Sequence, residues 1–116
     1  MNKNKILLCG AKGRMGQAIS KIAFEHGCEI TAPIDQGDNP ESKINDCDAV
    51  IDFSLADATL PMAKIAAKAG KPMVIGTTGH EKSVKQEIIE TMKSIPVVWA
   101  GNFSTGVNLL FYLTQQ

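Results

Sequence analysis

The sequence lacks several features by which whole classes of protein are recognised. Its 12 basic and 12 acidic side chains cancel, so it carries no charge surplus for nucleic acid or anionic lipid. It contains no apolar run of membrane-spanning length, and its N-terminus has no stretch as long as a signal-peptide core. We therefore expect a cytoplasmic protein without nucleic-acid or membrane partners.

Paired cysteines are also missing. Cys9, Cys28 and Cys47 are odd in number, widely spaced and without a C-x-x-C pair. This pattern favours reduced thiols over disulfides or a zinc site, and no metal site is predicted. Internal repeats and low-complexity segments are absent too, so 116 residues at 44% hydrophobic content predict a single globular domain with an apolar core.

What the sequence does contain is a glycine-rich turn after a short apolar strand. Glycines at positions 10, 13 and 16 form a G-x-x-G-x-x-G pattern, which differs from the commoner G-x-G-x-x-G. Such glycines permit a tight turn, close approach to a pyrophosphate and close helix packing, and a helix that starts there offers free N–H groups to an anion. The turn therefore predicts a phosphate cradle; a turn that only packs helix on strand is the alternative.

Strand and helix alternate along the chain. We predict strands at residues 6–9, 30–34, 49–53, 73–76 and 97–100, helices carrying residues 15–23, 54–69 and 81–93, and a loop without helix at residues 36–46. The strands that start at positions 6, 49, 73 and 97 are almost continuously apolar, as expected when helices cover both faces of a sheet. The pattern predicts an α/β fold with a doubly wound, Rossmann-type parallel sheet.

Local signals mark the ends of these helices. Ser54-Leu-Ala-Asp57 resembles a capping box, and Gly70 is placed to stop the same helix. Pro61 is tolerable in that helix if it lies in the first turn. We interpret His26 and His80 as helix caps or surface residues.

Four segments at predicted strand ends carry a family resemblance. They are Gly10-Ala-Lys-Gly-Arg-Met-Gly16, Asp52-Phe53-Ser54, Gly76-Thr-Thr-Gly79 and Asn102-Phe103-Ser104-x-Gly106-Val107-Asn108. In this order they resemble the nucleotide-binding domain of the dihydrodipicolinate reductases, over essentially all 116 residues. The resemblance implies an NADH- or NADPH-dependent oxidoreductase of lysine (diaminopimelate) biosynthesis that reduces a small dicarboxylate, dihydrodipicolinate, to tetrahydrodipicolinate.

The resemblance also implies the cofactor-binding positions. The pyrophosphate end would be held by Gly10, Ala11, Lys12, Gly13, Arg14, Met15 and Gly16. Asp35 would bind ribose hydroxyls, and Phe53 and Ser54 would line the groove. The nicotinamide end would be formed by Gly76, Thr77, Thr78, Gly79, Ala100, Asn102 and Phe103. Thr78 would also reach the substrate carboxylate.

The same residue types have plainer interpretations. Phe53 can be a core side chain, and Thr77 and Thr78 can be ordinary turn residues. Lys12 and Arg14 can be solvated charges beside a turn. The carboxyl end of a parallel strand is nevertheless where doubly wound sheets bind ligands.

The family's substrate domain carries a Ser-His-His-x-x-Lys signature with the general acid, and these 116 residues do not contain it. No catalytic residue is therefore assigned to this chain. We expect residues 1–104 to form the dinucleotide-binding domain. Residues 105–116, apolar nearly all round from Leu109 to Leu113, would be the first helix of an α+β substrate domain that also builds the family's homotetramer. The chain alone should bind dinucleotide without reductase turnover.

Cofactor choice follows from the second strand. Asp35 lies 19 residues after Gly16, where a ribose-binding acid is expected, and it would repel a 2′-phosphate. Gln36 stands where an arginine would help to hold that phosphate, so NADH is favoured, while Lys12 and Arg14 leave NADPH open. The alternative functions are a non-enzymatic dinucleotide- or CoA-binding module and another two-domain dehydrogenase acting on an amino acid or semialdehyde.

Overall fold

The computed structural model describes residues 4–35, 37–76 and 79–99. In these ranges the strands are β1 (Asn4–Cys9), β2 (Cys28–Ile34), β3 (Ala49–Asp52), β4 (Met73–Ile75) and β5 (Val97–Trp99). The α-helices are α1 (Arg14–Ala23), α2 (Ala56–Ala69) and α3 (Lys82–Thr91). This alternation confirms the predicted α/β class. No helix within the described ranges has both the length and the apolarity needed to cross a bilayer.

The five strands form one parallel sheet in the order β2-β1-β3-β4-β5. Because β2 and β3 lie on opposite sides of β1, the direction in which the chain crosses the sheet reverses at the β1/β3 boundary. Ile6 and Leu8 of β1 pack with Ile19 of α1, whereas Leu7 packs on the opposite face with Met62 of α2. The sheet is therefore doubly wound, as predicted, and its switch point lies between β1 and β3.

Burial along the strands follows their place in the sheet. Residues 6–9 of β1 are all buried, as expected for a central strand with helices on both faces. β5 differs, because Val97 and Trp99 are half-buried and Val98 is exposed. Because Val98 is exposed, the prediction that helices cover both faces does not hold for the described part of β5, which pairs there only with β4.

The start of α2 departs from the sequence prediction. Its N-cap is Leu55 and makes no side-chain capping bond. The Ser54 hydroxyl instead donates to the Asp52 carboxylate, a charged and therefore stronger acceptor. Pro61 is the sixth residue of α2 rather than part of its first turn, and its ring is exposed on the outer side of the helix. The capping box and the position of Pro61 were thus predicted wrongly, whereas Gly70 ends the helix with φ 71°, as expected.

The predicted loop contains two short 3-10 helices, Pro40–Ser42 and Ile44–Asp46. The Asn39 side chain accepts a hydrogen bond of 3.0 Å from the Glu41 N–H and so caps the first of them. Ile44 is buried against the core on the α2 side. The prediction of a loop without helix is wrong here. Burial of the Ile44 side chain anchors the backbone of this otherwise polar stretch to the core.

Candidate functional site

The carboxyl ends of the five strands line up in one row across the sheet. Backbone pairing sets side by side Ile34, Cys9, Asp52, Ile75 and Trp99. The chain therefore leaves every strand at the same edge, which we call the carboxyl edge. In open α/β sheets this edge, next to the switch point, is where ligands bind.

Four of the predicted site residues directly follow this row. They are Asp35 after β2, Gly10 after β1, Phe53 after β3 and Gly76 after β4. Residues as distant in sequence as 10 and 76 are thus brought to one edge. The structure accordingly groups the positions that the sequence comparison with the reductase family had singled out separately.

A bulge in β2 contributes to this alignment. Ile6 pairs with Ile30 but Leu7 pairs with Ala32, so Thr31 is an extra residue in the ladder. Before the bulge the buried side chains of β2 face α1, and after it they face α2. Without the shift, Asp35 would be level with Ala11 instead of Gly10. Nothing in our sequence analysis predicted this bulge.

The three glycines of the turn meet different demands. Gly10 has φ 79°, and a Cβ there would collide with the Phe53 carbonyl. Gly16 is buried, and a Cβ there would collide with the Gly10 carbonyl and lie 2.8 Å from the Ala11 Cα. At Gly13 a Cβ would come no closer than 3.4 Å to the Gly10 oxygen. The fold itself therefore requires glycine at positions 10 and 16 but leaves space beside position 13.

The start of α1 is suited to an anion. Its N-cap is Gly13, which makes no side-chain capping bond, and the first turn contains no acidic residue. The first backbone N–H groups of the helix are therefore not capped by a side chain, at the positive end of the helix dipole. The exposed cations Lys12 and Arg14 flank them. Ala11 in the turn and Met15 in α1 are half-buried.

Asp35 is held against the glycine turn. Its Oδ1 accepts a hydrogen bond of 3.0 Å from the Lys12 backbone N–H. Its own N–H donates to the Asp38 carboxylate at 2.9 Å, which places a second acidic side chain beside it. The side chain expected to bind ribose thus lies next to the segment expected to bind phosphate.

Phe53 packs between three strand ends. Its N–H donates to the Cys9 carbonyl at 3.0 Å, and its ring lies where a side chain at Gly76 would have to go. The Gly76 N–H donates to the Asp52 carbonyl at 2.8 Å. The half-buried ring of Phe53 therefore joins β1, β3 and β4, which is the core role that its residue type suggests.

Sequence reasoning missed a buried polar network beside this edge. The Asp52 carboxylate, fully buried, accepts from the Ser54 N–H at 2.9 Å and from the Thr59 hydroxyl at 2.8 Å. His80, interpreted above as a cap or surface residue, is half-buried with its Nε2 2.8 Å from Thr59 Oγ1. One signal could have found Thr59, because it shares the helical spacing of Met62, Ala63 and Ala66 on the buried face of α2.

Two carboxylates influence the thiol beneath the glycine turn. Burial, and then the nearby charges of Asp52 and Asp35, raise the pKa of Cys9 well above its usual range. The thiol therefore stays protonated across the neutral range. Cys9 acts as a small apolar side chain in the floor of the site.

Part of the predicted site lies outside the described residues. This applies to Thr77, Thr78, Ala100, Asn102 and Phe103, and also to the helix expected at residues 105–116. Gly79 is exposed with φ 91°. The roles assigned to all these positions stay predictions.

Comparison with known families identifies the chain. The profile of the family described as "Dihydrodipicolinate reductase, N-terminus" matches residues 4–103. The chain belongs to the dihydrodipicolinate reductase family. The dihydrodipicolinate reductases are NAD(P)H-dependent oxidoreductases, which agrees with a parallel sheet that has a glycine turn at its switch point.

Individual relatives bear the name 4-hydroxy-tetrahydrodipicolinate reductase. The protein of Akkermansia muciniphila is 42% identical over 113 residues, covering 96% of this chain and 46% of the relative. Those of Pelagibacter ubique and Methanocorpusculum labreanum are 37% and 36% identical, covering 99% and 96% of this chain and 50% of each relative. The chain therefore spans about half the length of the curated relatives it matches.

Replacing Gly16 by alanine should destabilise the fold far more than replacing Gly13. A Cβ at position 16 collides with backbone atoms, whereas one at position 13 makes an ordinary contact. We expect the free energy of unfolding, measured by urea denaturation, to fall by about 3 kcal/mol for Gly16→Ala and by less than about 1 kcal/mol for Gly13→Ala. Equal losses would show that the turn does not depend on close packing at position 16.

The buried Cys9 thiol should make the fold less stable in alkali. Because its pKa is raised in the folded state, the unfolded chain loses this proton first once the pH passes about 8.5. Between pH 8 and 10 the unfolding free energy should fall more steeply for the wild type than for Cys9→Ala, by up to about 1.4 kcal/mol per pH unit. Urea titrations of both proteins across this range measure the difference, and parallel curves would contradict the assignment.

Proposed function

We propose that this chain is the nicotinamide-dinucleotide-binding half of a 4-hydroxy-tetrahydrodipicolinate reductase. The reaction is the NAD(P)H-dependent reduction of dihydrodipicolinate to tetrahydrodipicolinate in lysine biosynthesis. The observation that carries the proposal is the juxtaposition of the glycine turn, Asp35 and Phe53 at the switch point of a parallel sheet. Membership of the reductase family supports it.

The residues at the β1–α1 turn fit a pyrophosphate. The amides at the start of α1 lack a side-chain cap, and the open space at Gly13 allows a ligand to approach the backbone. Lys12 and Arg14 would add positive charge, and the second Asp35 oxygen would accept from ribose hydroxyls while Oδ1 holds the Lys12 N–H. When bound, the reduced cofactor supplies the hydride; the chain's residues bind and orient it.

The nicotinamide end is assigned to the loops after β4 and β5. Gly76 and Gly79 would allow close approach of the backbone, together with the sequence positions Thr77, Thr78, Ala100, Asn102 and Phe103. Thr78 would also contact a carboxylate of the substrate. The proton that the reaction needs is assigned to the Ser-His-His signature of the family, which these 116 residues do not contain. The chain's part in the reaction is therefore to position the cofactor.

NADH is the proposed preferred cofactor. The Asp38 carboxylate accepts from the Asp35 N–H, so two acidic residues lie close together where the adenosine ribose would be held, and together they would repel a 2′-phosphate. Lys12 and Arg14 offset this repulsion only in part, because both are solvent-exposed. The electrostatics at the end of β2 therefore favour a ribose with a free 2′-hydroxyl.

Titration of the purified chain tests the function. Trp99, the only tryptophan in the sequence, lies at the carboxyl edge, so energy transfer to the dihydronicotinamide should quench its fluorescence when NADH binds. We expect NADH to quench the fluorescence saturably and NADPH to bind about tenfold more weakly than NADH, a difference of about 1.4 kcal/mol. CoA should not compete with NADH. With dihydrodipicolinate added, the chain should not oxidise NADH.

Three results would overturn the proposal. Binding of CoA in place of NADH would favour a CoA-binding module. Rapid oxidation of NADH by the chain with dihydrodipicolinate would show that residues 1–116 hold the general acid after all. A third result, turnover with an amino acid or semialdehyde instead, would identify a different dehydrogenase.

The charge of Asp35 should set the nucleotide preference. Asp35→Asn keeps an oxygen that can accept from the Lys12 N–H but removes the negative charge. We expect the ratio of NADPH to NADH dissociation constants to fall from about ten to about two. Asp46→Asn, a matched charge change at an exposed position in the 3-10 helix Ile44–Asp46, should leave the ratio unchanged. An unchanged ratio in Asp35→Asn would remove Asp35 from the specificity determinants.

A further inference from the structure

Asp52 holds both ends of the segment that runs from Gly76 to His80. Its main-chain carbonyl accepts from the Gly76 N–H at 2.8 Å. Its side-chain Oδ2 accepts from the Thr59 hydroxyl, and Thr59 Oγ1 lies 2.8 Å from His80 Nε2. Asp52, at the end of β3, thus binds the Gly76 backbone before positions 77 and 78. Through Thr59 it also holds the His80 side chain after them.

The direction of these hydrogen bonds follows from the number of protons available. A hydroxyl has one hydrogen, and Thr59 donates it to the carboxylate, which can only accept. The bond to His80 therefore requires that Nε2 donates and that Thr59 Oγ1 accepts. This arrangement selects the histidine form that carries a proton on Nε2.

The ring of His80 is also held from its other side. It lies edge-on to Trp99, with ring centroids 5.5 Å apart and planes at 89°. The Lys85 ammonium lies 5.1 Å from the centre of the same indole, so α3 and β5 support the position of the ring. His80 therefore has a hydrogen bond and an aromatic contact that act together to fix the end of the segment.

We propose that Thr59 and His80 are positioning residues for the nicotinamide half of the cofactor. Through Asp52 they hold His80 beside the end of β3, to which Gly76 is also bonded, so that the residues on both sides of sequence positions 77 and 78 are held in place before the nicotinamide arrives. This inference rests on the proposed function. Neither residue touches the cofactor in this scheme; both act through the segment.

The test compares NADH with ADP-ribose, which lacks the nicotinamide. His80→Phe keeps an aromatic ring against Trp99 but removes the donor, and Thr59→Val removes the hydroxyl at nearly constant shape. We expect each variant to bind NADH about three- to tenfold more weakly, the equivalent of one neutral hydrogen bond. ADP-ribose affinity, measured by calorimetry, should change by less than about twofold in both variants.

Conservative variants separate positioning from general destabilisation. His80→Gln can place an amide N–H near the position of Nε2, and Thr59→Ser keeps the hydroxyl, so both should recover most of the NADH affinity. Thr91→Val, the same change in the last residue of α3, should alter neither affinity. Parallel losses of NADH and ADP-ribose binding would overturn the inference, as would unchanged NADH binding in His80→Phe and Thr59→Val.

The hydrogen-bond chain can also be measured without any ligand. Long-range proton–nitrogen NMR spectra of the two histidines, assigned through His80→Gln, should show the His80 proton on Nε2. A proton found on Nδ1 alone would overturn the chain of donors. If the wild type binds neither NADH nor ADP-ribose, the proposed function fails and the positioning role falls with it; if it binds both and the variants match it, the positioning role alone fails.

Discussion

The carboxyl edge of this sheet depends on the burial of one carboxylate, that of Asp52. A charge removed from water is tolerated only where hydrogen-bond donors replace the lost hydration. Here the donors come from Ser54 in the β3–α2 turn and from Thr59 in α2, while the main-chain carbonyl of the same residue binds Gly76 after β4. Asp52 therefore links three segments around the candidate site, two through its carboxylate and one through its main-chain carbonyl.

The second constraint is the close packing of backbone segments around the glycine turn. It distinguishes the glycines that the fold requires from the one that is open to a ligand. Gly10 and Gly16 lack side chains because the backbones of the turn, α1 and β3 occupy the space. No backbone atom lies as close to Gly13, so the space beside it is open to a ligand. A glycine pattern alone therefore cannot distinguish a structural turn from a phosphate site; the proposal of a phosphate site rests also on the hydrogen bond from the turn to Asp35 and on the family relationship.

The elements were largely predictable, and the reasons for the errors are physical. Apolar runs and helical periodicity are local signals, so all five strands and three helices lie near their predicted positions. The capping box failed because Ser54 had a charged acceptor two residues away, which a pattern of residue types does not reveal. The β2 bulge at Thr31 and the link from Thr59 to His80 depend on contacts between distant segments, and no local rule predicts them.

The sequence by itself determined the α/β class, the glycine turn, the acid at the end of the second strand and the family, because these depend on residue order and local spacing. Only the tertiary structure decided which of these residues meet. Strand register aligned the ends of β1, β2, β3 and β4, and burial turned Asp52, Thr59 and His80 into one network. The physical reason is that register and burial are set by the packing of both sheet faces at once, which no single segment encodes.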